Sequence, residues 1–323
     1  MTTAASRPFF GYHMPNYTYP GVPDDRLFEK VVEFAQAAEA AGFDLVTVMD
    51  HFYQITGVGP EDHSMLEAYS ILGGIAARTK RVRLGALVSG VTYHNPAVLA
   101  KQVTTLDVIS SGRAMLGLGA AWNESEHIGY GFDFSPIGKR MDRLGEALTI
   151  CRLMFTEDRP SFEGQYYRIE RAFNRPRPIQ PGGPPIMIGG TGERRTLRLA
   201  AEFADMTHWF AGSIEALQHK TEVLEEHCAA IGRDPSTIIR TIGSPILPVA
   251  DARQAAAALE RIAPERRASL TVAPPHQAAE ALSAYVEAGF RGFTFGNTML
   301  PTLESVAVAG EVLELLVKDH AVA

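Results

Sequence analysis

Ile186-Met187-Ile188 runs straight into Gly189-Gly190-Thr191-Gly192-Glu193-Arg194-Arg195, and an amphipathic helix, Thr196 to Ala204, follows at once. A short buried strand, a flexible turn and a helix N-terminus make one βα unit. Free backbone N–H groups and the positive end of a helix dipole meet at this turn, which is how proteins hold phosphate. An ordinary strand-to-helix corner, with glycine making only the bend, fits the same residues. The stretch therefore predicts a βα fold first and a phosphorylated cofactor second.

The same alternation extends in both directions. Phe9-Tyr12 precedes Arg26-Ala41, Leu45-Met49 precedes Ser64-Arg78, Val82-Val88 precedes Pro96-Ser110, and Ala114-Leu118 precedes Arg140-Phe155. Downstream, Met206-Phe210 precedes Ile214-Ile231, Thr237-Val249 precedes Ala252-Ile262, and Gly292-Phe295 precedes Leu303-Val317. About eight such units predict an α/β protein closed as a (β/α)8 TIM barrel. A doubly wound open sheet is the alternative, because periodicity does not show closure. Helix stops fall at Ala41-Gly42-Phe43 and Ala288-Gly289-Phe290, where glycine supplies a left-handed cap. The rhythm breaks between Thr156 and Pro185, where Phe162-Glu163-Gly164-Gln165-Tyr166-Tyr167-Arg168 reads as a hairpin before a proline-rich run. This is an insertion after the fourth βα unit, about 156–185, in a single domain spanning 1–323.

At 323 residues, 46% hydrophobic and 21% charged, the chain can bury a large core. Its net charge of -7, with no Lys/Arg run, argues against a nucleic-acid partner. Cys151 and Cys228 sit in separate helical stretches without metal or redox spacing, which fits a reducing cytoplasm. The polar segment Met1 to Pro8 has no apolar signal core, and no run of eighteen apolar residues occurs, so neither secretion nor a membrane partner is expected.

Barrels place their chemistry at the C-terminal ends of the strands. There the chain offers Tyr12 and His13; Asp50, His51 and Phe52; Tyr93, His94 and Asn95; Trp122, Asn123 and Glu124; the glycine turn; and His208 with Trp209. His51 ends an apolar strand at the barrel rim, where an imidazole can pass protons near neutral pH or hydrogen-bond a ring. Asp50 either orients it or caps a loop. His94 precedes Asn95-Pro96, a helix start, and reads as a loop residue. Gly117-Leu118-Gly119-Ala120-Ala121-Trp122 opens like a dinucleotide fingerprint but carries Trp in place of the third small residue. Trp122 suits a flat wall against a ring. No metal motif and no nucleophile elbow is present, so no metal is expected and cofactor chemistry remains.

Three segments together resemble the bacterial luciferase-like oxidoreductase superfamily, especially its branch assigned to the deazaflavin coenzyme F420. They are Val48-Met49-Asp50-His51-Phe52; the stretch from Asn95-Pro96 through Asp107 and Ser111-Gly112-Arg113 to Trp122-Asn123-Glu124; and Ile188 to Arg194. The resemblance covers nearly the whole chain. It implies a (β/α)8 barrel with the ring across its C-terminal mouth and the phosphate on Gly189, Gly190 and Thr191. It also implies a bulged third strand at Ala86-Leu87-Val88-Ser89, often with a non-prolyl cis peptide, propping the ring from behind. Asp50 and Trp122-Asn123 would lie along the ring, with Tyr12 and His208 also on the cofactor. His51 matches the histidine of sugar-phosphate dehydrogenases in that branch. Those enzymes carry a glutamate acid where this chain has Ala121-Trp122, and a tryptophan where it has Gln54-Ile55. Glu124 is shifted along the loop and does not inherit the acid role, so sugar-phosphate activity is not implied.

The resulting expectation is a cytoplasmic F420-dependent oxidoreductase exchanging a hydride between deazaflavin and a small, largely apolar organic substrate, with His51 as catalytic residue. A reduced-FMN monooxygenase using O2 is the alternative, and a non-catalytic flavin- or deazaflavin-binding protein is the second. The resemblance further implies a homodimer, for which the helix face from Leu66 to Ile75 is a candidate. The substrate pocket is expected from the insertion around Phe162-Tyr167 and from loop aromatics including Tyr17, Tyr19 and Tyr53.

Overall fold

The computed structural model describes residues 7–262, 267 and 270–320; the expectations placed on Met1 to Ser6 lie outside them. Nine strands form one parallel sheet: β1 Phe9–Met14, β2 Leu45–Val48, β3 Arg83–Ala86, β4 Ser89–Gly90, β5 Leu116–Gly119, β8 Ile186–Gly189, β9 Met206–Trp209, β10 Ile239–Gly243 and β13 Gly292–Gly296. Their spatial order is β3-β2-β1-β13-β10-β9-β8-β5-β4. β3 and β4 are two halves of one strand, separated by Leu87-Val88, and they lie at opposite ends of that order. The sheet therefore closes on itself at this break, with Leu84 bridging to Ala114 below it. Eight barrel positions result, as the βα count predicts.

Side chains alternate between two cores. Phe10, Tyr12 and Met14 point outward into the layer between barrel and helices, while Phe9 points inward. Inside, Phe9, Leu45, Met115, Met187 and Met206 plug the N-terminal half of the barrel. Glycine takes over above this plug: Gly117, Gly119, Gly189, Gly243 and Gly296 follow on the strands, so the C-terminal half stays open. A filled lower barrel and a hollow upper one fix where a ligand can enter.

The helices Leu27–Ala40, Ala68–Arg78, Pro96–Ile109, Ile137–Thr156, Thr196–Phe203, Ile214–Ala230, Ala252–Arg261, Pro275–Glu287 and Leu303–Asp319 surround the sheet. The second begins at Ala68, later than the period suggested, because Glu67 caps it by accepting from the N–H groups of Tyr69 and Ser70. Two helices stand outside the sequence reading, Pro275–Glu287 and the short Glu124–Tyr130. Thr237-Val249 is not one strand: β10 ends at Gly243, and β11 Ile246–Pro248 pairs with β12 Thr271–Ala273 in a separate sheet. Pro245 lacks an N–H and breaks the ladder between them. In the insertion, β6 Phe162–Glu163 and β7 Arg168–Ile169 form the expected hairpin. The face proposed for dimerisation is already covered, since Ile71, Leu72 and Ile75 are buried in this chain's own core. Among the described residues no helix is long and apolar enough to cross a membrane.

Candidate active site

The open half of the barrel is a cavity of about 470 Å³. His13, Asp50, His51, Leu87, Val88, Ser89, Trp122, Gly189, Gly190 and His208 line it, with Ile55 and Phe210 at its mouth. Nearly all of these follow directly from strand ends.

His51 does not stand alone. Its Nδ1 lies 2.5 Å from Glu126 Oε1, and the Tyr93 hydroxyl donates to the same oxygen at 2.6 Å. Oε2 accepts the Phe52 N–H at 2.7 Å and the Tyr53 N–H at 3.3 Å. Glu126 is fully buried. Burial works to raise its carboxyl pKa, but hydrogen bonds from His51 and Tyr93 and the nearby imidazole outweigh that, and the net direction is downward. An ionised acceptor requires the proton on His51 Nδ1, which leaves Nε2 as the nitrogen free to exchange a proton. Trp122, 57% exposed, meets the imidazole edge-on at 5.6 Å. The short helix Glu124–Tyr130 exists to deliver Glu126 and His127 inward. His127 Nδ1 donates to the Asn123 carbonyl and Nε2 accepts from Thr92, so that ring is structural.

Asp50 braces the opposite wall. Its Oδ2 accepts the Gly90 N–H at 3.0 Å and His94 Nε2 at 2.8 Å, tying the second strand to the third. Burial would lower the His94 pKa, but the bond to Asp50 and the charges of Asp50 and Glu67 raise it overall. His94 is thus a brace rather than a free loop residue. Between these ties lies the bulge, with a cis peptide at Leu87-Val88. A Cβ on Gly117 would sit 2.0 Å from the Ala86 carbonyl oxygen; on Gly119 or Gly189 it would sit 2.8 or 2.9 Å from Val88. The Gly117-Leu118-Gly119 pattern is therefore not a phosphate fingerprint. It leaves room for the neighbouring strand to bulge inward.

His13 and His208 form the floor. The Thr241 hydroxyl donates to the Thr207 carbonyl and so accepts from His208 Nδ1, leaving Nε2 with a lone pair. Burial pushes the His208 pKa down to about 4. Burial and the nearby His208 push His13 down to about 3. Both imidazoles are neutral at physiological pH.

Ala120 and Gly190 also line a second, shallower pocket with Thr191, Gly192, Glu193, Arg194, Arg195 and Lys220. The two spaces adjoin at Ala120 and Gly190. Arg195 pairs with Asp142 and Lys220 with Glu193, while Arg194 has no ion pair among the described residues. The Gly190 N–H is committed to the His208 carbonyl at 3.0 Å, so it is not a phosphate donor. Its φ of +109° explains the glycine. The N–H groups of Thr191, Gly192 and Glu193 make no backbone hydrogen bond among the described residues.

Several expected residues lie elsewhere. Tyr12 is an outward-facing residue of β1: it stacks on Phe34 and donates to the Leu300 carbonyl, while its neighbour His13 faces the cavity. Asn123 stands at the start of the short helix without a side-chain capping bond and does not line the cavity. Trp209 is fully buried against Phe290. The substrate wall is not built from the insertion, since Tyr167 bonds Arg143 and the Val91 carbonyl; Tyr17 and Tyr19 also pack away from the cavity. Glu126 and Tyr93's role in holding it are the features that sequence reading missed. The available signal was a Glu-His pair on a short polar stretch directly after Trp122-Asn123.

The family model described as luciferase-like monooxygenase matches residues 10–267. The chain belongs to the luciferase-like monooxygenase family. That membership makes it an oxidoreductase. The luciferase-like chain is 28% identical over 267 residues to an uncharacterised protein of Mycobacterium tuberculosis, covering 78% of this chain and 90% of that one. It is 35% identical over 218 residues to an F420-dependent glucose-6-phosphate dehydrogenase of Kineococcus radiotolerans, covering 66% of this chain and 62% of that enzyme. Among solved structures, an F420-dependent secondary alcohol dehydrogenase in complex with an F420-acetone adduct superposes with a TM-score of 0.79 at 20% identity, covering 96% of this chain and 99% of that one. Riboflavin lyase superposes with a TM-score of 0.81 at 15% identity, covering 98% and 93%. At such identities these two similarities establish the luciferase-like fold alone.

Proposed function

We propose that this protein is an F420-dependent oxidoreductase that exchanges a hydride between the deazaflavin and a small organic substrate. The observation that carries the reading is the His51–Glu126 pair on the wall of a cavity that adjoins, at Ala120 and Gly190, an Arg/Lys-bearing pocket. The F420-dependent relatives support it.

The residues present fit such a cofactor. A planar ring needs an open space with a smooth wall, and Val88, seated against Gly119 and Gly189, forms one side of it while Gly243 and Gly296 add no side chain to the lining. Its anionic tail needs donors and positive charge, which Thr191, Gly192, Glu193 and Arg194 supply through backbone N–H groups and a free guanidinium. When bound, the deazaflavin supplies the hydride donor or acceptor. This chain's side chains do the rest. Leu87, Val88 and Ser89 would hold the ring from the strand-three side, on a strand braced by Asp50. His51 holds or delivers at Nε2 the proton that accompanies the hydride, and Glu126 stabilises the imidazolium that forms when Nε2 is protonated. The neutral His13 and His208 offer hydrogen-bond acceptors without adding charge.

Titration of the purified protein with F420 and with FMN, followed by cofactor fluorescence, tests the reading. Clearly tighter F420 binding is the expected result. Tighter FMN binding would replace it with a reduced-FMN monooxygenase. Binding of F420 without turnover of any hydride donor or acceptor would replace it with a storage protein, and binding of neither would remove the tail pocket from the argument.

A further inference from the structure

We infer that the substrate of this site is an uncharged molecule with an apolar body and one carbonyl or hydroxyl oxygen, and that Ile55, Trp122 and Phe210 set this preference. The inference deepens the proposed function and rests on it.

Positive charge is distributed unevenly around the barrel mouth. Arg194, Arg195 and Lys220 all line the tail pocket, on the far side of Gly190. Among the described residues no lysine or arginine lines the main cavity. Arg140 comes near through the Ala120 carbonyl, but its guanidinium also donates to the Ser135 carbonyl and covers the Phe134 ring at 4.2 Å. The one carboxylate lining the cavity, Asp50, would repel an anion. A phosphate placed beside His51 would lose its hydration without gaining a counter-charge. His13 and His208 do not change this, because burial keeps them neutral.

The mouth is built for the opposite kind of ligand. Phe210 is 86% exposed and Trp122 57% exposed, and both line the cavity with Ile55. Large aromatic side chains held open beside a deep pocket gain most from covering an apolar molecule. Beside Trp122, His51 presents Nε2 with no hydrogen-bond partner among the described residues, its other nitrogen being fixed by Glu126, while the open nitrogens of His13 and His208 lie on the floor. A single oxygen on the substrate satisfies His51 Nε2. Sugar phosphates carry many hydroxyls and a dianion, and this wall satisfies neither.

The two tryptophans make the test direct. Trp209 is fully buried, so a ligand-dependent change in emission reports Trp122, and Trp122→Phe removes the signal. Cyclohexanone is expected to shift the emission to the blue saturably, at a concentration at least about tenfold below that needed for glucose 6-phosphate. Phe210→Ala is expected to raise the cyclohexanone concentration several-fold, and Ile55→Lys to lower that for glucose 6-phosphate. Equal or tighter binding of glucose 6-phosphate, or no saturable shift with cyclohexanone, would overturn the inference. Because the signal does not use a cofactor, failure of the F420 titration would remove the proposed function and leave this result readable.

Discussion

Glu126 decides what His51 can do. Its carboxylate accepts a hydrogen bond from the His51 Nδ1–H, holds Tyr93 and pins the backbone of Phe52 and Tyr53, so one buried side chain sets tautomer, orientation and loop position together. Glu126→Gln keeps the shape but replaces one acceptor oxygen with a donor. In an F420-coupled assay it should lower kcat by roughly tenfold to a hundredfold, with KM nearly unchanged. Tyr93→Phe removes one donor and keeps the His51 contact, so its kcat should fall much less. A KM effect as large as the kcat effect in Glu126→Gln would reduce the residue to a loop anchor. His51 was legible in the sequence because it ends a strand. Glu126 was not, because its partner is 75 positions away and only the path of a seven-residue helix brings the two together.

At the scale of elements, the third barrel strand and its neighbours behave as one shape. Val88 projects inward only because β5 and β8 present glycine to it. Gly117→Ala places a methyl group against a backbone carbonyl, which cannot rotate away as a side chain can. It should destabilise the fold by about 1–3 kcal/mol in urea denaturation. Gly73→Ala, in the helix Ala68–Arg78, has nothing within 4 Å of the new methyl. That variant should stabilise by about 0.5–1 kcal/mol through helix propensity. Gly74→Ala next door would meet the Phe28 ring at 2.5 Å and should not share the gain. The βα period was legible from β-branched runs and glycine stops such as Gly42 and Gly289. The long central stretch through Asp107 and Arg113 also reads differently in space. Asp107 accepts from Ile179, Gln180 and Ala114, and Arg113 donates to carbonyls of Ala76, Thr79 and Val82, so both brace the barrel away from the cavity. What escaped the sequence was where Pro245 ends a ladder, and which of two adjacent residues faces inward, as at Tyr12 and His13.

For the molecule as a whole, two neutral histidines in the barrel make stability depend on pH. Both have folded pKa values far below the ordinary 6.5, so between about 6.5 and 4 the unfolded chain binds protons that the folded chain refuses. Their contribution is complete above pH 6.5 and is lost as pH falls toward 4 and then 3. The urea midpoint should therefore drop across that window, before the bulk of the carboxylates titrate. His208→Gln should flatten the drop; an unchanged slope would mean that the ring is already protonated in the folded state. Glu126 adds a second loss with the same sign at lower pH, because its depressed pKa stabilises the fold only while it is ionised.

Gly190 borders both the barrel cavity and the Arg194 pocket, and beyond it, apart from Ala120, the two spaces share no residue. One consequence concerns how such a protein diversifies. If the proposed division holds, drift at Ile55, Trp122 and Phe210 would change which molecule is accepted while the loop Thr191–Arg195 stayed as it is, and a lineage on this scaffold could exchange one metabolic niche for another without rebuilding its dependence on a shared carrier.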